Sequence, residues 1–156
     1  MPAKQPTEIR YTALLHLLAT ADTVWNASRS FFARWELSPS QFNILNLLGG
    51  EPESISQIEL GRRLIMHRSN VTGLVDRMER RGLVKREDAL FDRRAYRVVL
   101  TKAGRELLAE IYPHYRAAAE ATWNGLPAAT IKQVSDALTH VARNASQVAQ
   151  TGDKTS

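Results

Sequence analysis

The sequence predicts a mainly α-helical chain with one small β-hairpin set among its helices. Three observations predict it: apolar residues stepping by three and four in the first and last segments, two helix-start signatures of the Ser-x-x-Gln/Glu kind, and two runs of branched and aromatic residues separated by a charged stretch.

Over residues 7–34, Leu14, Leu17, Ala21, Val24, Ser28, Phe31 and Trp35 form a helical stripe, widened by Leu18, Trp25 and Phe32. In LSPSQF, Ser38 is placed to cap a helix, Pro39 suits its first turn, Gln41 completes the capping box, and Leu37 can staple to Phe42. Ile44, Leu45, Leu47 and Leu48 supply the buried face, and Gly49-Gly50 is expected to end the helix in left-handed backbone. ISQIEL repeats the device: Ser56 caps, Glu59 reaches back, and a short helix runs to about Ile65, with a break at Met66-His67. From Arg68 to Arg81, Val71, Leu74, Val75 and Met78 keep helical spacing, and Gly82 provides the stop. LVKRE and AYRVVLT then read as paired strands flanking the polar stretch 88–94. Thr101 caps a long helix carrying Leu107, Leu108, Ile111 and Tyr115, in which Pro113 predicts a bend or a break. A final helix over residues 128–149 repeats Ile131, Val134, Leu138, Val141, Ala145 and Val148, and a loose tail follows.

Composition narrows the chemistry. The 156 residues include no cysteine, which removes disulfides, thiolate metal sites and cysteine nucleophiles and fits a reducing interior. No secretory signal or membrane-spanning run is visible, so a cytoplasmic protein without a membrane partner is expected. The four histidines, at 16, 67, 114 and 140, lack the spacing of a helical metal pair and belong to no recognisable nucleophilic motif. An enzyme is therefore not expected, nor is a cofactor. Net charge is +5, and residues 62–105 alone carry 13 Lys or Arg against 5 Asp or Glu, so the basic charge is concentrated there as it is in a nucleic-acid footprint.

Two short helices joined by a tight break make a helix-turn-helix, and the second can enter the major groove of DNA. With Val71, Leu74, Val75 and Met78 inward, that helix presents Arg68, Ser69, Asn70, Thr72, Gly73 and Arg77 on its other side. Arg can read guanine, Asn adenine, and Ser or Thr bases or phosphates, while Gly73 permits close backbone approach. Any surface helix has a polar side; the hairpin directly downstream, with Arg93 and Arg94 near its tip, makes the combination more specific, because such a wing reaches phosphates or the minor groove.

Through SPSQFNILNLL, SNVTGLVDRMERRGLVKRE and DRRAYRVVLTKAGREL, in that order, the chain resembles the multiple-antibiotic-resistance regulator (MarR) family. The resemblance implies a winged helix-turn-helix in residues 37–105, dimerisation helices in 1–36 and 106–150, and a tail in 151–156. It further implies a triangular homodimer whose two winged units bind the halves of a near-palindromic operator in double-stranded DNA. Ser69, Asn70 and Thr72 then face DNA, flanked by Arg68 and Arg77, and Asp92-Arg93-Arg94 matches the wing signature, with Arg93 at the minor groove. A carboxylate beside phosphates is repelled, so Asp92 orients a neighbouring arginine rather than touching DNA. Asp76 either does similar ordering or is a solvated or intrahelical pair. The family's Pro-Arg pair before the Asp-Arg-Arg triplet is replaced here by Ala89-Leu90-Phe91, with one extra residue, so one basic contact is missing.

Many family members are switched by a small aromatic or acidic compound bound between the dimer helices and the winged unit, and His16, Trp25, Phe32, Trp35 and His67 are the candidates for such an effector pocket. Repression by occlusion is the default expectation. The rival is an architectural or weakly specific nucleic-acid binder without effector control, which the basic middle would serve equally.

Overall fold

The computed structural model describes residues 6–50, 54–64, 68–89 and 92–152. In chain order the elements are α1 (Pro6–Ala33), α2 (Pro39–Gly49), β1 (Ile55–Ser56), α3 (Gln57–Leu64), α4 (Arg68–Arg80), β2 (Val84–Ala89), β3 (Asp92–Leu100), α5 (Lys102–Thr122) and α6 (Ala128–Gly152). The expected mainly helical chain with a hairpin is the observed one. Two compact units, residues 1–110 and 111–156, divide the chain within α5.

The first unit is built around Phe42, Ile44, Leu45, Leu60, Val71, Val75, Met78, Val84 and Val98, each at most 1% exposed. Only the end of α1 enters this core: Phe32 is buried and its ring stacks on Phe42 at 4.3 Å between centroids. Leu17, Ser28 and Phe31 of the α1 stripe are half-buried, whereas Leu14 and Val24 are uncovered, at 50% and 46% exposed. After α1 the backbone turns at Glu36, whose φ of 54° is unusual for a residue with a side chain. Arg81 steadies that turn by donating to the carbonyls of Glu36 and Trp35.

The Ser38 capping box forms as expected, since the Gln41 amide donates to Ser38 Oγ and the Ser38 amide donates to Gln41 Oε1. The end of α2 differs from expectation. Gly50 has a right-handed φ of −83°, and its N–H reaches back to the Asn46 and Leu48 carbonyls, so the last carbonyls are satisfied without left-handed backbone. Gly82 does adopt the left-handed conformation, with φ of 69°, and ends α4 as predicted.

Ser56 accepts from the Glu59 amide, but the Glu59 carboxylate turns outward to Arg62 and Arg63 rather than reaching back. Ile55 and Ser56 are instead held as β1, pairing antiparallel with Val98 and Arg97 of β3. The sheet therefore has three strands in the order β1-β3-β2, one more than the expected hairpin. Two residues are too few to show strand alternation, and the capping signature masked them. The expected break at Met66-His67 lies outside the described residues.

Thr101 caps α5 through the Gly104 amide and also donates to the Gly82 and Leu83 carbonyls. Gly104 is required here, because a Cβ on it falls 2.0 Å from the Leu83 carbonyl oxygen. Helix α5 runs through Pro113 without interruption of its assignment, against the alternative of a break. In the second unit α6 continues to Gly152, past the predicted end and into the expected tail; Leu138, Val141 and Val148 on it are exposed. Among the described residues no helix is long and apolar enough to cross a membrane.

Candidate nucleic-acid interface

Helix α4 divides as its sequence dictates. Val71, Leu74, Val75 and Met78 are buried, whereas Asn70, Arg77 and Arg80 are exposed and Thr72, Gly73 and Asp76 are half-buried. The outward residues thus form one polar face of the helix. The backbones of Arg68 and Ser69 open the helix on the same element.

Among the described residues Gly73 has no packing reason to be glycine: a Cβ there meets only Arg77 Nη1, at an ordinary 3.5 Å. Glycine inside a helix costs about 1 kcal/mol relative to alanine. A fold that does not need the bare backbone nevertheless keeps it at the centre of the polar face, where it leaves room for a close partner.

Among the described residues an arginine ties this face to the hairpin. Arg86 on β2 is one-fifth exposed; its guanidinium lies 2.5 Å from Asp76 Oδ1 and 2.5 Å from Glu79 Oε2, and its backbone amide donates to Glu79 Oε1. Burial disfavours the Arg86 charge, but the hydrogen bonds to Asp76 and Glu79 and the two negative charges outweigh it, and the pKa is raised. Arg86 Nε also reaches Gln57 Oε1 at 3.5 Å, and Gln57 Nε2 donates to Thr72 Oγ1 at 2.6 Å. The first residue of α3, three residues of α4 and the first strand of the wing are thereby joined by one polar network. Of the two readings left open for Asp76, the ordering role is the one observed. Arg86, Gln57 and Glu79 escaped the sequence reading. The available signal was strand alternation, which puts Arg86 on the same side of β2 as buried Val84, facing α4.

On α3 the Glu59 carboxylate is held below its usual range, first by the hydrogen bond from Arg63 and then by the charges of Arg62 and Arg63.

The wing is longer than the strands read from sequence. Register runs from Val84↔Leu100 to Asp88↔Tyr96, then shifts to Ala89↔Asp92, so Arg93, Arg94 and Ala95 are three residues of β3 with no counterpart on β2. Such a bulge bends its strand and breaks the ladder locally. Asp92, Arg93 and Arg94 are placed by their backbone at the start of β3, next to the hairpin tip. Leu90 and Phe91 lie outside the described residues.

The four effector candidates among the described residues, His16, Trp25, Phe32 and Trp35, are not gathered at one place within one chain. Phe32 is core, packed on Phe42. Trp35 is half-buried, donates from Nε1 to Glu110 Oε1 at 2.7 Å, and carries the Arg34 guanidinium 3.8 Å above its ring. His16 and Trp25 stand exposed along α1; about 1.5 Å of rise per residue puts His16 more than 20 Å from Phe32. His67 lies outside the described residues.

The helix pair α3–α4 followed by the β2–β3 hairpin defines a winged helix-turn-helix. The MarR family model matches residues 35–95, and over this segment the chain is similar to that family. The uncharacterized HTH-type transcriptional regulator YkoM of Bacillus subtilis is 36% identical over 90 residues, which is 57% of each chain. The present chain thus spans a little over half the length of this curated relative. The crystal structure of AbsC, a MarR family transcriptional regulator from Streptomyces coelicolor, superposes with a TM-score of 0.83 over 94% of this chain and 99% of that one, at 21% identity. That of Sco3205, a MarR family transcriptional regulator from the same organism in complex with DNA, gives 0.80 over 92% and 91%, at 23% identity. The last two likenesses concern the fold.

Proposed function

We propose that the protein is a sequence-specific, double-stranded DNA-binding transcriptional regulator that works in the cytoplasm as a homodimer on a palindromic operator. The observation that carries this reading is the polar face of α4, on which Asn70, Thr72, Gly73 and Arg77 lie opposite the buried Val71 and Val75 and which Arg86 braces against a hairpin whose bulge bears Arg93 and Arg94. In this reading Arg68, Ser69, Asn70, Thr72 and Arg77 meet base edges and phosphates in the major groove, and Arg93 and Arg94 reach the adjoining minor groove with Asp92 as their orienting partner. Residues 37–105 are the DNA-binding region.

Residues 1–36 and 106–150 form the dimerisation region. The uncovered apolar residues of α1 and of α6 support this, since faces of that kind mark partner surfaces. Two reading helices about one turn of DNA apart, roughly 34 Å, match a two-fold site. A dimer seated there represses by blocking promoter access. Release by a small aromatic or acidic compound completes the proposal, with Trp25 and Trp35 as the accessible aromatic contacts.

Binding of a selected duplex in competition with unrelated DNA tests the reading. Sequence-specific recognition requires that Asn70→Ala lower affinity for the selected duplex by about ten- to a hundredfold while leaving binding to unrelated DNA almost unchanged. An equal loss on both duplexes fits an architectural binder instead.

A further inference from the structure

We infer that Tyr96 is a further DNA contact, its phenol donating a hydrogen bond to the phosphate strand that passes between α4 and the wing. The inference rests on the DNA-binding reading above and adds to it a residue that neither helix nor wing signature includes.

Strand alternation places the side chain. The pairs Val84↔Leu100, Arg86↔Val98 and Asp88↔Tyr96 share one face of the hairpin. Val84, Val98 and Leu100 on that face are buried, and Arg86 is bound to Asp76 and Glu79 of α4, so this is the face turned toward the reading helix. Tyr96 comes two residues, about 6.5 Å, beyond Val98 along the strand. There the core has ended, and Tyr96 is 49% exposed. The next residues toward the tip are the bulged Ala95, Arg94 and Arg93. Tyr96 therefore stands in the crease between the polar face of α4 and the basic bulge.

That crease has a definite occupant when a duplex is bound. A helix in the major groove and a wing in the minor groove lie on either side of one sugar-phosphate strand, because that strand is what separates the two grooves. A side chain between helix and wing meets phosphate oxygens rather than base edges. A neutral phenol is a suitable donor to them. The carboxylates of Asp76 and Glu79, which would repel a phosphate, are already paired with Arg86.

The test uses the duplex selected by the wild-type chain, with titrations on Tyr96→Phe, which keeps the ring and removes only the hydroxyl. Affinity falls roughly tenfold, the loss of one hydrogen bond to a charged acceptor. The factor is the same across base changes in the half-site, and the salt dependence is unchanged because no cation is lost. Replacing phosphates one at a time by neutral methylphosphonates identifies a position that weakens the wild type and leaves Y96F unaffected. Wild-type affinity in Y96F, or a loss that depends on base identity, overturns the contact while DNA binding by the chain stands. A wild-type chain that selects no duplex at all overturns the function and the contact with it.

Discussion

Arg86 on the wing and Asp76 on α4 are joined by a guanidinium–carboxylate contact of 2.5 Å that ties the two parts of the candidate interface together. Glu79 one turn further along α4 takes the other nitrogen, so the wing is held at two points on the helix. Replacing Arg86 by Gln leaves two carboxylates without their partner. The pair is partly solvated, so the expected loss of folding stability is moderate, about 1–2 kcal/mol, read by denaturant unfolding. The effect on DNA binding is larger and non-additive: once R86Q has loosened the wing, adding Arg93→Ala and Arg94→Ala costs little more, whereas in the wild-type background it costs at least tenfold. Full additivity in this double-mutant cycle contradicts the bracing role.

Gly73 separates fold from function in the opposite direction. Among the described residues the only neighbour of an added methyl is Arg77 at 3.5 Å, so Gly73→Ala should stabilise the chain by roughly 0.5–1 kcal/mol through helix propensity. If α4 enters the major groove as proposed, the same substitution should weaken binding of the selected duplex, since the methyl would then crowd the DNA. Paired melts and titrations check both signs.

At Gly104 the constraint is the protein's own backbone. A Cβ 2.0 Å from the Leu83 carbonyl forces α5 away from the start of β2, and Gly104→Ala is expected to cost about 1–3 kcal/mol, measured in the same unfolding assay. Gly49 offers the contrast. Its added Cβ meets the end of the Leu108 side chain, which can rotate aside, and Gly49→Ala should cost less than Gly104→Ala.

Along α1, Leu14, Leu18 and Val24 are 50%, 59% and 46% exposed. Covered by a second copy, they resist water; left open, they do not. The double substitution Leu14→Glu, Leu18→Glu is expected to shift sedimentation from dimer to monomer while the melting of residues 37–105 is retained.

Much of this architecture was legible in the sequence because its signals are local. The Ser38 capping box and the Gly82 stop depend on residues within a turn of one another, and both appear as read. The inner face of α4 followed from spacing alone. What escaped depends on contacts between elements. Nothing near Ile55 announces a partner more than 40 residues away, yet β1 exists only by pairing with Val98. Arg86 stood unremarked within LVKRE, and its role comes from carboxylates 7 and 10 residues earlier that the turn at Gly82 folds beside it. Gly50 shows that a helix-ending glycine predicts a stop more reliably than a dihedral angle. Arg93 and Arg94 were read beside the hairpin tip, and the backbone sets them there, but the three-residue register shift that bulges them out is invisible without the strand pairing.

The most direct measurement is selection of bound duplexes from a fully randomised pool, read by sequencing. The account predicts an inverted repeat whose half-sites are centred about 10 base pairs apart, one for each copy of α4 in the dimer. Recovery of a single unrepeated site, or of no preferred sequence, would contradict it.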